Sequence, residues 1–395
     1  MVTCIRPLAA APGADRILVI RLGAVGDVVR TLPAASAIRA AYPGAHIAWL
    51  VERASAGVLE TQHWIDEVIL FPREALRASL RGLRIVPFTR ELFRFLHELR
   101  GRRFDLVVDF HSILKSGALA WASGAPRRAG YAPPFGRELS WLFHNLRARL
   151  TPSHVSRFER NEGLVQFLGT PVRPRPGSLR IDLELAREMQ ASLGGGPAPV
   201  VIHPGTSDAT PYKRWTLEGY SRLARELLEK DEVRSIVTVG PARDDRPFAE
   251  AVVRASRGAA RLAPATPSLA HLAALFACAR LYVGSDTGPM HVASLVGTPV
   301  VQILGPTDPI ENAPFAGTPS RSIRVPVSCS PCRRGCAAAT CMRVVPAEPV
   351  IAAARELLAE ARPSHALAAA GVRLGASGAA DAVLPLAPRA EGATS

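Results

Sequence analysis

Short apolar, β-branched runs alternate along this chain with longer stretches in which apolar residues recur every three or four positions. That alternation predicts strands and helices in βαβ succession, and hence parallel sheets covered by helices. Residues 16–52, RILVIRLGAVGDVVRTLPAASAIRAAYPGAHIAWLVE, read as strand, Gly-rich turn, helix and strand, one such unit. DEVILF (66–71) and FDLVVDFHS (104–112) predict further strands, each ending in polar or turn residues as the carboxyl ends of parallel strands do. The second half repeats the scheme. PVVIHPG (199–205), VRSIVTVGP (233–241), RLYVGSD (280–286) and TPVVQILGP (298–306) predict strands, separated by helical runs at 216–230, 245–257 and 267–278, with a last helical run at 348–362.

The fold class expected is therefore α/β, with two Rossmann-like, doubly wound parallel-sheet domains facing a cleft; 395 residues suffice for two such cores. The divisions expected are an N-terminal extension (1–15), a first domain (16–175), a second domain (176–362) and a disordered Ala, Gly and Pro-rich tail (363–395). GTPVRPRPGS (169–178) is the linker, and SLGGGPAP (192–199) is a second break.

Charge adds a candidate partner. The net charge is +14, and all but three of the 48 basic side chains are arginine, lysine occurring as Lys115, Lys213 and Lys230. Arginines crowd into 73–103, interleaved with Leu76, Leu80, Leu83, Phe88, Phe93, Phe95 and Leu96. That pattern suits either an anionic lipid surface or a solvated helical face with a basic loop. Nucleic acid is not expected, because no Cys/His finger, aromatic RNA-binding signature or helix-turn-helix accompanies the charge. No apolar run reaches the ~18 residues of a membrane span, and the start lacks an apolar signal core, so a cytoplasmic protein is expected. Four of the six cysteines, Cys329, Cys332, Cys336 and Cys341, crowd into CSPCRRGCAAATC, as a metal site, a structural thiol cluster or an occasional disulfide. Cys4 and Cys278 read as inert.

The most informative run is SDTGPMHVASLVGTPVVQILGPTDP (285–309), which puts Asp286, Thr287, Gly288 and His291 where a strand hands over to a helix. His291 to Val296 begin the helical run that Gly297, Thr298 and Pro299 end. A helix start offers unpaired N–H donors and about half a positive charge, so it holds an anion such as a diphosphate without a basic side chain. In doubly wound sheets ligands bind beyond the carboxyl ends of the strands, where Gly23 to Asp27, His203 to Thr206 and Asp286 to His291 all fall. The first turn, RLGAVGD, lacks the GxGxxG spacing of nicotinamide and flavin domains. Asp27 stands at or near a helix start, either as a cap or as a catalytic carboxylate facing the cleft, and spacing alone favours the cap. No DxD carboxylate pair stands at a suitable strand end, so no metal is expected.

Together the segments ILVIRLGAVGDVVRTLPAASAIRAAYP, VVIHPGTSDATPYKRWTLEGY and YVGSDTGPMHVASLVGTPVVQILGPTDP resemble the ADP-heptose:lipopolysaccharide heptosyltransferases, glycosyltransferase family 9. Each motif alone is weak, but GD followed by TLP, HPG, KRW and SDTGPMH in that order is specific. The resemblance implies the GT-B architecture and an inverting transfer of heptose to the lipopolysaccharide inner core. It makes Asp27 the general base for the acceptor hydroxyl, reversing the preference for a cap. Lys213 would neutralise the donor diphosphate, and Asp286, Thr287, Gly288 and His291 would hold that diphosphate and the transferring sugar. His203, Gly205 and Thr206 would form another part of the donor wall, His203 by itself being more structural than catalytic. Asp244 or Asp245 would meet the nucleotide ribose, Asp245 being preferred. Gly26, Asp27, Arg73, Arg77 and Arg81 would serve the acceptor. The implied partners are ADP-heptose, a phosphorylated Kdo-lipid A or heptosylated core acceptor, and the anionic inner face of the cytoplasmic membrane, with no cofactor. Two other readings stay open: a transferase of the same fold with another nucleotide sugar or acceptor, and a noncatalytic nucleotide-binding module or GT-B epimerase.

Overall fold

The computed structural model describes residues 3–5, 7–8, 13–170, 179–194, 197–332, 335–360, 373–374 and 380–381. Its first half runs β1 (Thr3–Ile5), β2 (Arg16–Ile20), α1 (Val25–Ala41), β3 (His46–Glu52), α2 (Arg53–Ala56), β4 (Glu67–Phe71), α3 (Arg73–Arg81), α4 (Ile85–Gly101), β5 (Leu106–Asp109), α5 (Leu114–Ala122), β6 (Arg127–Tyr131), β7 (Leu146–Thr151) and α6 (Arg157–Phe167). Its second half runs α7 (Leu183–Ser192), β8 (Val200–His203), α8 (Leu217–Asp231), β9 (Ser235–Val237), α9 (Asp245–Ala255), β10 (Ala260–Leu262), α10 (Leu269–Ala277), β11 (Leu281–Ser285), α11 (Gly288–Val296), β12 (Val300–Leu304), β13 (Ser320–Arg324), α12 (Thr340–Arg343) and α13 (Ala347–Glu360).

The strands form two sheets, ordered β1-β7-β6-β5-β2-β3-β4 and β10-β9-β8-β11-β12-β13. All neighbours in them are parallel except β1, which pairs antiparallel with β7. Without β1, both sheets share one winding: the chain-first strand is central, the next two lie to one side and the last three to the other. The direction of winding therefore reverses between β2 and β5 and between β8 and β11. Loops leaving the carboxyl ends diverge at such a point, which opens a crevice for ligand. Strands such as β11 and β12 are buried along their whole length, because helices cover both faces of these sheets. That is why they read as unbroken apolar runs rather than as alternating ones.

Several elements escape the periodicity. Thr3–Ile5, expected as part of an extension, adds an edge strand to the first sheet. β6 (RRAGY) and β13 (SRSIR) carry charged side chains within the strand, so pairing and not hydropathy defines them. The break expected at 192–199 is described except for 195–196 and follows the end of α7. The linker expected at 169–178 falls largely outside the described residues. So does the expected disordered tail, apart from Arg373–Leu374 and Ala380–Asp381, which pair antiparallel. Among the described residues no helix is long and apolar enough to cross a membrane.

The halves meet through packed side chains. Phe158 of α6 lies edge-on to Phe315 at 5.2 Å and to His291 at 6.1 Å, within one apolar cluster drawn from both halves, including residues of α1, α10 and α11. The two switch points thereby face each other.

Candidate active site

Asp27 is the third residue of α1, and the cap position belongs to Ala24, which makes no side-chain capping bond. The cap favoured by spacing is thus not formed, because the carboxylate turns toward arginines instead of the helix amides. Arg21, just beyond β2, reaches Oδ2 at 2.6 Å, while Arg30 and Arg157 reach Oδ1 at 2.5 and 3.0 Å. Burial would push this carboxyl up, but Arg21, Arg30 and Arg157, with Arg160 behind them, hold it well below the usual range. Asp27 keeps 19% of its side chain exposed, toward a cleft of about 730 Å3. Arg21, Arg137, Arg157 and Arg160 line the cleft on the first-half side, and Lys213 and Asn312 on the other. Arg30 also donates to Asn312 Oδ1 at 3.1 Å, and the Arg157 amide donates to the Glu311 carbonyl at 3.2 Å. The clamp on Asp27 therefore spans both halves.

Opposite stands the β11–α11 turn. α11 begins at Gly288 with Thr287 as its cap, three residues earlier than the sequence predicts. Pro289 contributes no donor, so the N–H groups of Thr287, Gly288 and Met290 carry the positive helix end. Lys213 Nζ, in the short 3-10 turn Pro211–Lys213, donates to Asp286 Oδ2 at 3.0 Å and to its carbonyl at 3.2 Å. Burial pushes the Asp286 carboxyl up, but the His291 ring, Lys213 and Arg30 pull it below the usual range. His291 Nε2 lies 3.4 Å from Asp286 Oδ1, yet neither ring nitrogen has a hydrogen-bond partner among the described residues. Burial, with Arg30 nearby, lowers its pKa to about 4, so the ring is neutral at pH 7.

Two glycines let these turns touch. A methyl group on Gly26 would lie 3.1 Å from Gly288 Cα and 3.2 Å from His291 Cδ2. Asp27 and the Asp286 to His291 turn thus approach across bare backbone.

Of the expected site residues Asp27 and Lys213 line the cleft, whereas Asp286, Thr287, Gly288 and His291 of the adjoining turn do not, and neither do the following. Asp245 is 1% exposed: its Oδ1 accepts from the Thr206 amide at 3.1 Å and from Arg214 at 2.6 Å, and its Oδ2 accepts from the Ala242 amide at 3.2 Å. It ties the loop after β8 to the start of α9, with both carboxylate oxygens bonded within the protein. Asp244 is exposed. His203 is buried and shares a 2.8 Å hydrogen bond with the Thr238 hydroxyl, a supporting position. Gly205 packs between His203 and Asp245, where a Cβ would meet His203 Nε2 at 2.9 Å. Arg73, Arg77 and Arg81 lie on α3 and are absent from the cleft lining; Arg73 pairs with Glu52 at 2.5 Å. Cys329, Cys332, Cys336 and Cys341 are free thiols, and among the described residues no three His, Cys, Asp or Glu side chains group to hold a metal ion.

Arg21, Arg30, Arg157 and Arg160 went unnoticed in the sequence. Arg21 stands beside the glycine turn, and that adjacency is a usable signal. Arg157 and Arg160 carry none, since α6 reads as an ordinary helix with a Ser156–Glu159 capping box.

Comparison with known proteins agrees with this architecture. The family model described as glycosyltransferase family 9 (heptosyltransferase) matches residues 92–342. Lipopolysaccharide heptosyltransferase 1 of Pseudomonas aeruginosa is 31% identical over 327 residues, covering 80% of this chain and 86% of that protein. The E. coli heptosyltransferase WaaC solved with ADP superposes with a TM-score of 0.63 at 25% identity, over 78% of this chain and 93% of that one. A family 9 glycosyl transferase from Veillonella parvula shares the fold with a TM-score of 0.69 at 23% identity, over 88% and 97% of the two chains.

Proposed function

Since the chain belongs to glycosyltransferase family 9, the heptosyltransferases, we propose that it moves a heptose from ADP-heptose to the inner core of lipopolysaccharide, with inversion at the anomeric carbon. The observation that carries this reading is the meeting of the Asp27 turn with the Asp286 to His291 turn across Gly26 and Gly288. The turn that carries the Asp27 carboxylate in one half touches a helix N-terminus of the other, an arrangement suited to transfer from a diphosphate donor to a hydroxyl.

In this mechanism residues 16–175 receive the acceptor and residues 176–362 hold the nucleotide sugar. The acceptor hydroxyl attacks the anomeric carbon, Asp27 takes its proton and ADP leaves. Three guanidiniums make Asp27 a weak base, so the proton moves late, when the oxocarbenium-like transition state has made the hydroxyl acidic. Charge on the departing diphosphate is met by the Thr287 and Gly288 amides and by Lys213, which exchanges Asp286 for a phosphoryl oxygen. Neutral His291 stays beside the sugar without adding charge there. The reaction takes place on the cytoplasmic face of the inner membrane, and the arginine-rich segment 73–103 makes reversible contact with anionic lipid.

The test supplies purified protein with ADP-heptose and a Kdo-bearing lipid A acceptor. ADP is released only when acceptor is present, the product gains the mass of one heptose, and Asp27→Asn abolishes both. ADP release at the same rate without acceptor overturns the transfer reading.

A further inference from the structure

We propose that the turn joining α3 and α4 is a membrane-insertion tip whose partner is an anionic phospholipid surface. The assignment rests on the heptosyltransferase reading only in supposing that the acceptor is lipid-borne; the surface itself is argued from its side chains.

The two helices form a hairpin whose base is anchored and whose tip is not. Phe95 and Leu99 of α4 are buried against the first sheet, Phe95 edge-on to Phe71 at 5.5 Å, and α3 buries Leu76. Beyond that base Leu80, Leu83, Ile85 and Val86 all face solvent, Leu83 at 87%, Ile85 at 73% and Val86 at 76% exposed. Phe93 adds a further ring at 69%. Among the described residues no other stretch of seven exposes four large apolar side chains. Scattered exposed apolar residues need no explanation, but a contiguous set does.

Leu83 sharpens the point. Its φ is 51°, in the left-handed region where glycine or asparagine is favoured and a leucine is disfavoured. Its side chain gains no packing in return. Neither local conformation nor the core accounts for a leucine at this position, whereas insertion among acyl chains does.

Charge selects the partner. Arg77, Arg81, Arg84 and Arg90 are exposed around the tip, no acidic residue occurs between 77 and 90, and none of the four pairs with a carboxylate among the described residues. Apolar side chains ringed by unpaired guanidiniums complement a bilayer with anionic headgroups. A second copy of a chain with a net charge of +14 is a poor partner for so cationic a surface.

Position connects the tip to the cleft. α3 leaves the carboxyl end of β4, and Arg73 at its foot pairs with Glu52 at the carboxyl end of β3. The same Glu52 oxygen is 3.7 Å from where a Cβ on Gly23 would lie, beside the Asp27 turn. Hairpin and cleft thus open from one end of the sheet.

The experiment is flotation of the full chain with vesicles of phosphatidylglycerol and phosphatidylethanolamine, and separately of phosphatidylcholine alone, at low and high salt. The protein should float with the anionic vesicles, less so in high salt. The double variant Leu83→Asn with Val86→Asn should bind at least about tenfold more weakly, while folding normally and transferring heptose to a delipidated acceptor at the wild-type rate. Equal flotation of variant and wild type, or none for either, overturns the proposal. A dimer that the same two substitutions dissolve also overturns it, in favour of a second copy. Failure of the wild type to glycosylate the delipidated acceptor strikes the functional reading instead and leaves the flotation result standing.

Discussion

Substituting alanine for Gly26 adds a single methyl group where the two halves meet. That methyl would stand 3.1 Å from Gly288 Cα and 3.2 Å from His291 Cδ2. Ordinary carbon contacts lie at about 3.5–4.0 Å, so the turns must part by ~0.5 Å. Gly288 Cα is backbone at the first residue of α11, and His291 is 1% exposed, so neither yields freely. Overpacking of this kind costs about 1–3 kcal/mol. The same displacement moves Asp27, the next residue, away from the donor turn. Since a misplacement of ~1 Å can cost about 10²-fold in rate, kcat should fall roughly tenfold. Steady-state kinetics with saturating ADP-heptose and acceptor measure the loss, and thermal melts measure the stability change. Gly44→Ala is the control, because nothing lies within 4 Å of its added Cβ. A Gly26→Ala enzyme with wild-type kcat would show that catalysis does not need these turns in contact, and the pairing of base and donor across them would fail.

Removing the ammonium with Lys213→Ala should lower kcat by about 10²–10³-fold, with Lys213→Arg recovering part of it, because the charge acts on the leaving diphosphate; a change confined to KM would contradict this. Acidification should destabilise the fold. His111, His203 and His291 have folded pKa values of about 4 against an ordinary 6.5, so the unfolded chain binds more protons between those values, and stability falls as pH drops through that window. Half-buried Glu162, raised by burial and Glu159 to about 7, acts in the opposite sense above its ordinary 4.5 and offsets one of them. His203→Gln should flatten the dependence by about 1.4 kcal/mol per pH unit, read from urea midpoints between the two limits. Transfer should survive EDTA, since Lys213 and the α11 amides are assigned the leaving-group charge; chelator-sensitive activity would count against that assignment.

The winding of the chain was legible because it is written locally. Strands buried on both faces read as apolar runs, and a helix start presents its amides whatever packs around it, so the β11–α11 turn could be read from residues 281–296 alone. Strands with charged side chains were not, since β6 and β13 owe their state to their neighbours' backbones rather than to their own hydropathy. Asp245 shows the limit for single residues: its position beside the second sheet was apparent, but only the folded loop reveals that the Thr206 and Ala242 amides and Arg214 occupy its oxygens.

The central strands of both sheets and the β11–α11 turn were therefore determined by the sequence itself. The electrostatic character of Asp27 was decided by tertiary structure, because Arg157 reaches it from 130 positions away and Arg30 is braced by Asn312 from 282 away. Hydropathy and spacing describe a residue's own neighbourhood, whereas a carboxylate's basicity depends on which charges share its burial, and only the completed fold sets those distances.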